Sequence, residues 1–277
     1  MRFEKWKALG NDYLIVERQE LPWELTAERI RSICEPHLGV GSDGILLLGP
    51  AADDRHVAEL RIFNPDGSEA ELSGNGAREA VLYLRRSGWT DADTFSVITK
   101  AGVLTPTILG SGAVAMDIGR ASLASGDYPA GGADGTGTVK SAGREWAFQH
   151  VQVGNPQCAI EVAEDLEGLD LAEVGPQIER SELFPNRTNV SFWRADGSTV
   201  RARIFERGVG ETLSSGTGAS GAAVAAFLRG AGSPITVALD GGELMVELSD
   251  ELEMTLTGTA EPVYAGELEA EFVRSLE

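Results

Sequence analysis

Two glycine-rich loops carry most of the chemistry this sequence offers. The first runs Asn64-Pro65-Asp66-Gly67-Ser68-Glu69-Ala70-Glu71-Leu72-Ser73-Gly74-Asn75-Gly76-Ala77. The second runs Glu206-Arg207-Gly208-Val209-Gly210-Glu211-Thr212-Leu213-Ser214-Ser215-Gly216-Thr217-Gly218-Ala219. They keep step: Phe63 and Phe205 lie ten residues before Ser73 and Ser215, and Glu69 and Glu211 lie four before them. Gly-x-Gly-Ala follows each serine, then a run of helix formers, with Gly88 and Gly230 fifteen residues on. An internal duplication accounts for this economically. Each loop then sits at a helix N-terminus, where unpaired N–H groups and the helix dipole favour an anion. Two such ends turned towards one ligand would hold a carboxylate and stabilise negative charge spreading into it from a neighbouring carbon. Ordinary N-capping by Ser73 and Ser215 is the competing use of the same residues.

The uncharged polar residues around the loops narrow the ligand. Asn11, Asn64, Asn75, Asn155 and Asn189 each fall at a strand–loop junction, where a lone asparagine serves a turn. Together with Glu206 and Arg207 they suit an amino acid, which needs donors for its carboxylate and acceptors for its ammonium. No metal site is expected, because His37, His56 and His150 are scattered without ligand spacing. Packing or surface roles are expected for His37 and His150.

Composition excludes other classes. A formal net charge of −20 without any Lys/Arg cluster argues against nucleic acid, and the acidity is read as serving solubility. No apolar run approaches a membrane span, and the start Met1-Arg2-Phe3-Glu4-Lys5 does not resemble a signal peptide. Two cysteines, Cys34 and Cys158, suggest a reducing cytoplasm.

The elements that must position the loops follow from periodicity. Strands are expected over Phe3 to Trp6 and Tyr13 to Glu17. A helix capped by Thr26 follows, with Leu25 and Ile30 as a staple and Ile30, Ile33 and Cys34 on one face, closed by Pro36. Gly39-Val40-Gly41-Ser42-Asp43-Gly44 matches a dinucleotide fingerprint, but the apolar strand Ile45 to Leu48 follows where a helix is required. Leu60 to Phe63 is a strand entering the first loop, and Ala77, Val81 and Leu84 mark the buried face of the helix after it. Strands fill 94 to 118, with hairpins at Lys100-Ala101-Gly102 and Gly110-Ser111-Gly112. The Gly/Ala/Asp-rich stretch 122 to 138 reads as a mobile connection. In the second half, strands flank Gly154-Asn155-Pro156-Gln157, with Cys158 at the start of the second, and a helix spans Leu171 to Glu179. Strands at Thr188 to Phe192 and Val200 to Phe205 lead to the second loop and a helix from Ala219 to Arg229. Hairpins near Gly241-Gly242 and Gly258 finish the chain. Strands with one central helix per half make this an α+β protein.

The sequence resembles the diaminopimelate epimerases, cofactor-independent amino-acid epimerases. The matching pieces are Gly10-Asn11-Asp12-Tyr13, Gly41-Ser42-Asp43-Gly44, Phe63 to Glu69, and Ser73-Gly74-Asn75-Gly76-Ala77-Arg78. Gly154-Asn155-Pro156, Arg187-Thr188-Asn189-Val190 and Glu206 to Thr212 continue in family order over essentially the whole chain. The resemblance implies two pseudo-symmetric lobes, each a sheet or barrel wrapped round a central helix, with the active site in the cleft between them. It implies an N-terminal lobe of residues 1–117 plus 263–277, a C-terminal lobe of 118–262, a cytoplasmic homodimer and no cofactor. The implied reaction interconverts LL- and meso-diaminopimelate for lysine and peptidoglycan precursors. The distal amino-acid end would lie against Asn64, Asn155, Asn189, Glu206 and Arg207, and the reacting carboxylate against Gly74, Asn75, Gly216 and Thr217. Asn11 belongs to the same binding set.

The acid–base apparatus departs from that pattern. The family uses two cysteines, one on each face of the α-carbon, since a thiol pKa of about 8.5 can be brought near neutrality at a helix N-terminus. Both positions here are serine, Ser73 and Ser215. A hydroxyl needs a base beside it. The family's histidine after Gly-Asn-Pro is Gln157, and Glu79 and Ser220 also differ. Glu206 remains as the titratable group. Three readings stay open: a diaminopimelate epimerase with Ser73, Ser215 and Glu206 catalytic; another proton-shifting isomerase using Glu206; or an inactive amino-acid-binding homologue.

Overall fold

The computed structural model describes residues 1–163 and 165–277. In chain order the elements are β1 (Arg2–Ala8), β2 (Asn11–Glu17), α1 (Ala27–Cys34), β3 (Ile45–Gly49), β4 (Ala58–Phe63), β5 (Glu69–Ala70), α2 (Gly74–Arg86), β6 (Val97–Thr99), β7 (Gly102–Leu104), β8 (Thr107–Ile108) and β9 (Val114–Arg120). They continue with β10 (Thr136–Ser141), β11 (Arg144–Val153), β12 (Asn155–Glu161), α3 (Leu171–Glu179), β13 (Asn189–Asp196), β14 (Thr199–Glu206), β15 (Gly210–Thr212), α4 (Gly216–Phe227), β16 (Ile235–Leu239), β17 (Gly242–Leu248), β18 (Glu253–Gly258), β19 (Glu261–Glu267) and α5 (Ala270–Ser275). The chain forms two units, Met1–Met116 with Gly258–Glu277, and Asp117–Thr257. It is an α+β fold dominated by strands.

The first unit's sheet runs β19-β1-β2-β3-β4-β6-β7, with β5 beside β4. In the second, the order β10-β11-β12-β13-β14-β16-β17-β18 has β15 beside β14. The duplication is visible strand by strand. β1–β2 and β11–β12 are antiparallel, β2–β3 and β12–β13 parallel, β3–β4 and β13–β14 antiparallel, and β4–β6 and β14–β16 parallel.

Both faces of each sheet are covered, which is why β3 reads as an unbroken apolar run. In the first unit, Leu14, Val16, Ile45, Leu47 and Phe63 pack with Ile30, Ile33 and Cys34 of α1, and Phe272 and Val273 of α5 join them. The alternate residues face α2, which lies against β1, β2 and β3. In the second unit Cys158, Ile160, Val190, Phe192 and Phe205 pack with Leu171, Val174 and Ile178 of α3. The central α4 touches β11, β12, β13, β14, β16 and β17. Its Ala219-Ser220-Gly221-Ala222-Ala223-Val224-Ala225-Ala226 run is buried throughout, as a small-sided helix enclosed by a sheet must be.

Thr26 caps α1 through the Arg29 N–H as the spacing predicts, and the hairpins at 100–102 and 110–112 form. Elsewhere the structure differs from the sequence reading. Segment 122–138 is anchored by buried Tyr128, whose ring packs on Phe148, His150 and Phe184, and Thr136 already opens β10. A single aromatic in a polar stretch leaves no periodic signal. No hairpin forms at Gly258: β19 pairs with β1, Arg2 opposite Glu267. Cys158 lies mid-strand in β12 rather than at its start.

Candidate active site

The serine of each loop is an N-cap whose extended backbone turns its hydroxyl back onto the helix. Ser73 Oγ accepts the Gly76 N–H at 3.1 Å, and Ser215 Oγ accepts the Gly218 N–H at 3.3 Å. Glycine is required at the N3 position because the first turn presses on the sheet. A Cβ on Gly76 would lie 2.9 Å from Leu46 Cδ2, and one on Gly218 2.8 Å from Ile204 Cγ2. The preserved Gly-x-Gly-Ala therefore combines a cap with a close approach. Glu69 and Glu211 serve structure: each pairs at 2.9 Å with an arginine on the neighbouring strand, Arg61 on β4 and Arg203 on β14.

In the first unit Tyr13 projects from β2 towards α2, and its hydroxyl donates to Ser73 Oγ at 3.2 Å. Burial raises the Tyr13 pKa, with Glu79, Asp43 and Asp12 adding to the rise and the Ser73 bond opposing it. A neutral phenol therefore backs Ser73. Beside it, Asn75 Nδ2 donates to Asn11 Oδ1 at 2.6 Å, Asn11 Nδ2 to Asp43 Oδ2 at 3.2 Å, and Arg78 Nη2 to Asn75 Oδ1. Gly74 opens α2 next to Asn75. Asn64 stands apart in its own turn, donating from Nδ2 to Ser68 Oγ at 2.9 Å. Glu79 is buried in α2, and among the described residues neither of its oxygens has a hydrogen-bond partner. Burial pushes its pKa up to about 9, helped by Asp12 and opposed by Arg78.

In the second unit Glu206 ends β14 and accepts the Thr212 hydroxyl at 2.8 Å on Oε1. The Ser215 hydroxyl lies close enough to help lower the Glu206 pKa. Burial raises the Glu206 pKa, while the Thr212 and Ser215 hydroxyls oppose the rise. Asn189 accepts the Arg207 N–H at 2.8 Å and donates to the Pro156 carbonyl at 3.2 Å. The Arg207 side chain is exposed, with Nη1 on the Asn186 carbonyl at 2.9 Å. Asn155 Oδ1 accepts from Gln157 Nε2 at 2.5 Å. Gly216 and Thr217 form the first turn of α4, where the Gly216 carbonyl accepts from Ser220 Oγ at 2.8 Å.

Residues 3–124 and 149–263 match the family described as diaminopimelate epimerase. The chain belongs to the diaminopimelate epimerase family. It is 40% identical to "Diaminopimelate epimerase 2" of Nostoc sp. (strain PCC 7120), over 98% of this chain and 96% of that protein. It is 38% identical to the diaminopimelate epimerase of Azoarcus sp. (strain BH72), over 97% of this chain and 99% of that one. Its fold is shared by a PhzC/PhzF protein of Clostridium difficile (TM-score 0.69, 12% identity, 97% of this chain and 99% of that one). A probable proline racemase of Agrobacterium radiobacter shares it too (TM-score 0.65, 16% identity, 97% and 93% covered). Membership in a family of epimerases places the chain among the isomerases.

Within the diaminopimelate epimerase fold, register identifies which residues are equivalent. Leu14 pairs with Ile45 and Ile45 with Phe63; likewise Cys158 pairs with Val190 and Val190 with Phe205. Tyr13 therefore corresponds to Gln157, and Asn64 to Glu206. Each serine is backed from a different place in its unit: Ser73 by the Tyr13 phenol, Ser215 by the Glu206 carboxylate. Neither cysteine substitutes for the family's thiols. Cys34 packs among the α1-side core and Cys158 among the α3-side core, each across its sheet from the capping serine. Burial raises the Cys34 pKa to about 11 and lifts that of Cys158 well above the ordinary thiol range. His150 is a packing residue, buried against Tyr128 with Nε2 on Ser125 Oγ at 2.9 Å. Among the described residues no group of histidines, cysteines and carboxylates could hold a metal.

Sequence reasoning gave no roles to Tyr13, Arg78, Asp43 and Thr212. All four lie inside the quoted motifs, so a signal was present; what they touch was not.

Proposed function

We propose that the protein is a cofactor-independent epimerase of an amino acid of the diaminopimelate class, acting by α-proton exchange, with Ser215 and Ser73 addressing opposite faces of the α-carbon. The observation that carries this is the placement of the Ser215 hydroxyl, at the N-terminus of α4, close enough to the partly buried Glu206 carboxylate to influence its pKa. It supplies the base that a bare serine lacks. As Ser215 Oγ takes the α-proton, its own hydroxyl proton passes to Glu206, so the pair removes one proton and holds it on the carboxyl. The raised pKa makes Glu206 a stronger base than an exposed glutamate.

On the other face the Ser73 hydroxyl gives its proton to the carbanion and draws one from the Tyr13 phenol. The reverse reaction starts with Glu206 protonated and Tyr13 ionised, the state in which forward turnover ends. The resulting Tyr13 phenolate is reprotonated through solvent, as Glu206 loses its proton there. Carbanion charge spreads into the substrate carboxylate, which the N–H groups opening α2 and α4 stabilise. Asn155, Asn189 and Arg207, with Asn64, provide for the distal amino-acid end.

A homodimer acting in lysine and peptidoglycan precursor synthesis is the setting the family resemblance suggests. Proton NMR of LL-diaminopimelate in D₂O tests the reading. Loss of the α-proton signal together with meso product supports it, and a saturated protein that leaves the signal intact contradicts it.

A further inference from the structure

Four side chains of the first unit form one hydrogen-bonded line, from Arg78 through Asn75 and Asn11 to Asp43. A primary amide turned end for end keeps its shape, so an asparagine can ordinarily present either its oxygen or its nitrogen. Both ends of this line remove that freedom. A guanidinium only donates, and a carboxylate only accepts. Reversing Asn75 would set its NH₂ against Arg78. Reversing Asn11 would set its oxygen against Asp43 and its NH₂ against that of Asn75.

Burial makes either reversal costly. Arg78 is fully buried and Asn75 nearly so, and Arg78 Nε and Nη1 have no hydrogen-bond partner. Among the described residues the guanidinium therefore rests on Asn75 Oδ1 alone, and no water replaces a bond that is lost. At the far end Asp43 is fixed by the backbone: its Oδ2 also accepts the Asp12 N–H at 3.0 Å, and its own N–H donates to Asp12 Oδ1 at 3.0 Å.

We infer that Arg78 and Asp43 are positioning residues that fix the direction of the Asn75 and Asn11 amides, so that the partly exposed Asn11 offers a ligand an N–H donor and never an acceptor. Its Oδ1 is filled by Asn75 and one Nδ2 hydrogen by Asp43, which leaves the second Nδ2 hydrogen for the ligand. The chemistry that fits is a carboxylate. An ammonium or a primary amide NH₂ meets a donor there and is refused. This edge of the unit therefore selects the carboxylate of the amino acid. The ligand assignment rests on the proposed function, but the direction of the line does not.

The test has two arms. In ¹⁵N-labelled protein, the side-chain NH₂ hydrogens of Asn75 and Asn11 exchange slowly with solvent if the line is fixed. Arg78→Gln, whose amide can donate or accept, should speed that exchange roughly tenfold. Asp43→Asn should do so from the exposed end without disturbing the core, while Arg78→Lys, still a pure donor, should retain slow exchange. In the second arm, titration with LL-diaminopimelate and with its α-amides should show the acid preferred by roughly tenfold or more in the parent. That preference should collapse when Asp43→Asn is combined with Arg78→Gln, which releases both ends of the line. Unchanged exchange in folded Arg78→Gln and Asp43→Asn, with unchanged preference in the folded double variant, would overturn the inference. A parent protein that binds no diaminopimelate would count against the proposed substrate, and the exchange arm would still decide the line.

Discussion

Tyr13 and Gln157 occupy equivalent places in the two units, yet only Tyr13 reaches its serine. The phenol sits 3.2 Å from Ser73 Oγ, whereas the Gln157 amide turns to Asn155 Oδ1 at 2.5 Å. The complementary exchange occurs at the loop entrance, where Asn64 holds its own turn while the corresponding Glu206 accepts from Thr212 and lies near Ser215. The two halves are thus alike in fold and unlike in protonic character: one serine is backed by a weak acid, the other by a carboxylate.

Removing the carboxylate should stop proton abstraction. Glu206→Gln is expected to lower the α-proton exchange rate by roughly 10²–10⁴-fold, the usual worth of a positioned general base. In the parent, Glu206 works as a base only when ionised. Because burial raises its pKa, exchange should rise with pH through a midpoint above the ordinary glutamate value of about 4.3. A Glu206→Gln variant with parental exchange, or a parental midpoint at or below the ordinary glutamate value, would contradict this.

Tyr13→Phe should separate exchange from inversion. The Ser215–Glu206 arm stays intact, so solvent deuterium should still enter LL-diaminopimelate, while meso product falls relative to exchange. The lost hydrogen bond should cost about 1 kcal/mol of stability, measurable by urea unfolding. Equal losses of exchange and inversion would remove Tyr13 from the second face.

Much of this was legible beforehand, and its limits are physical. The paired loops, the capping serines and the helices after them follow from spacing alone, because caps and turns are local. Asn11 and Asn75 belong to one set of asparagines at the strand–loop junctions, and the structure brings these two within hydrogen-bond distance. Asn64, expected at the distal end of the substrate, donates to Ser68 in its own turn. The backing of Ser73 by Tyr13 joins residues sixty positions apart, and only strand register brings them together. Tyr128 was missed for the same reason, since its partners are distant in sequence, and the return of the C-terminal segment to the first unit came only with the family resemblance.

Ser73→Cys/Ser215→Cys tests the lineage. A thiol is far easier to ionise than a hydroxyl at a helix N-terminus, so the double variant should exchange the α-proton faster than the parent. A folded, ligand-binding double variant with no gain would show that the scaffold is not arranged for abstraction at those positions.

Glu79 should leave a mark on stability. Its folded pKa of about 9 lies above the unfolded carboxylate value. The folded state therefore binds the extra proton, and stability falls as pH rises from about 4.5 towards about 9, on the order of 1.4 kcal/mol per pH unit from this group. Glu79→Gln stays neutral throughout. It should be more stable than the parent at pH 8, with the difference vanishing near pH 4.5, as read by denaturant midpoints at each pH. A difference independent of pH would show that Glu79 does not titrate in that window.

The central claim is that a serine backed by a carboxylate and a serine backed by a phenol together invert an amino-acid α-carbon. Proton NMR of LL-diaminopimelate with the purified protein in D₂O addresses it most directly. The account predicts loss of the α-proton signal accompanied by the meso isomer. An undiminished α-proton signal at a ligand concentration shown to saturate the protein would contradict it.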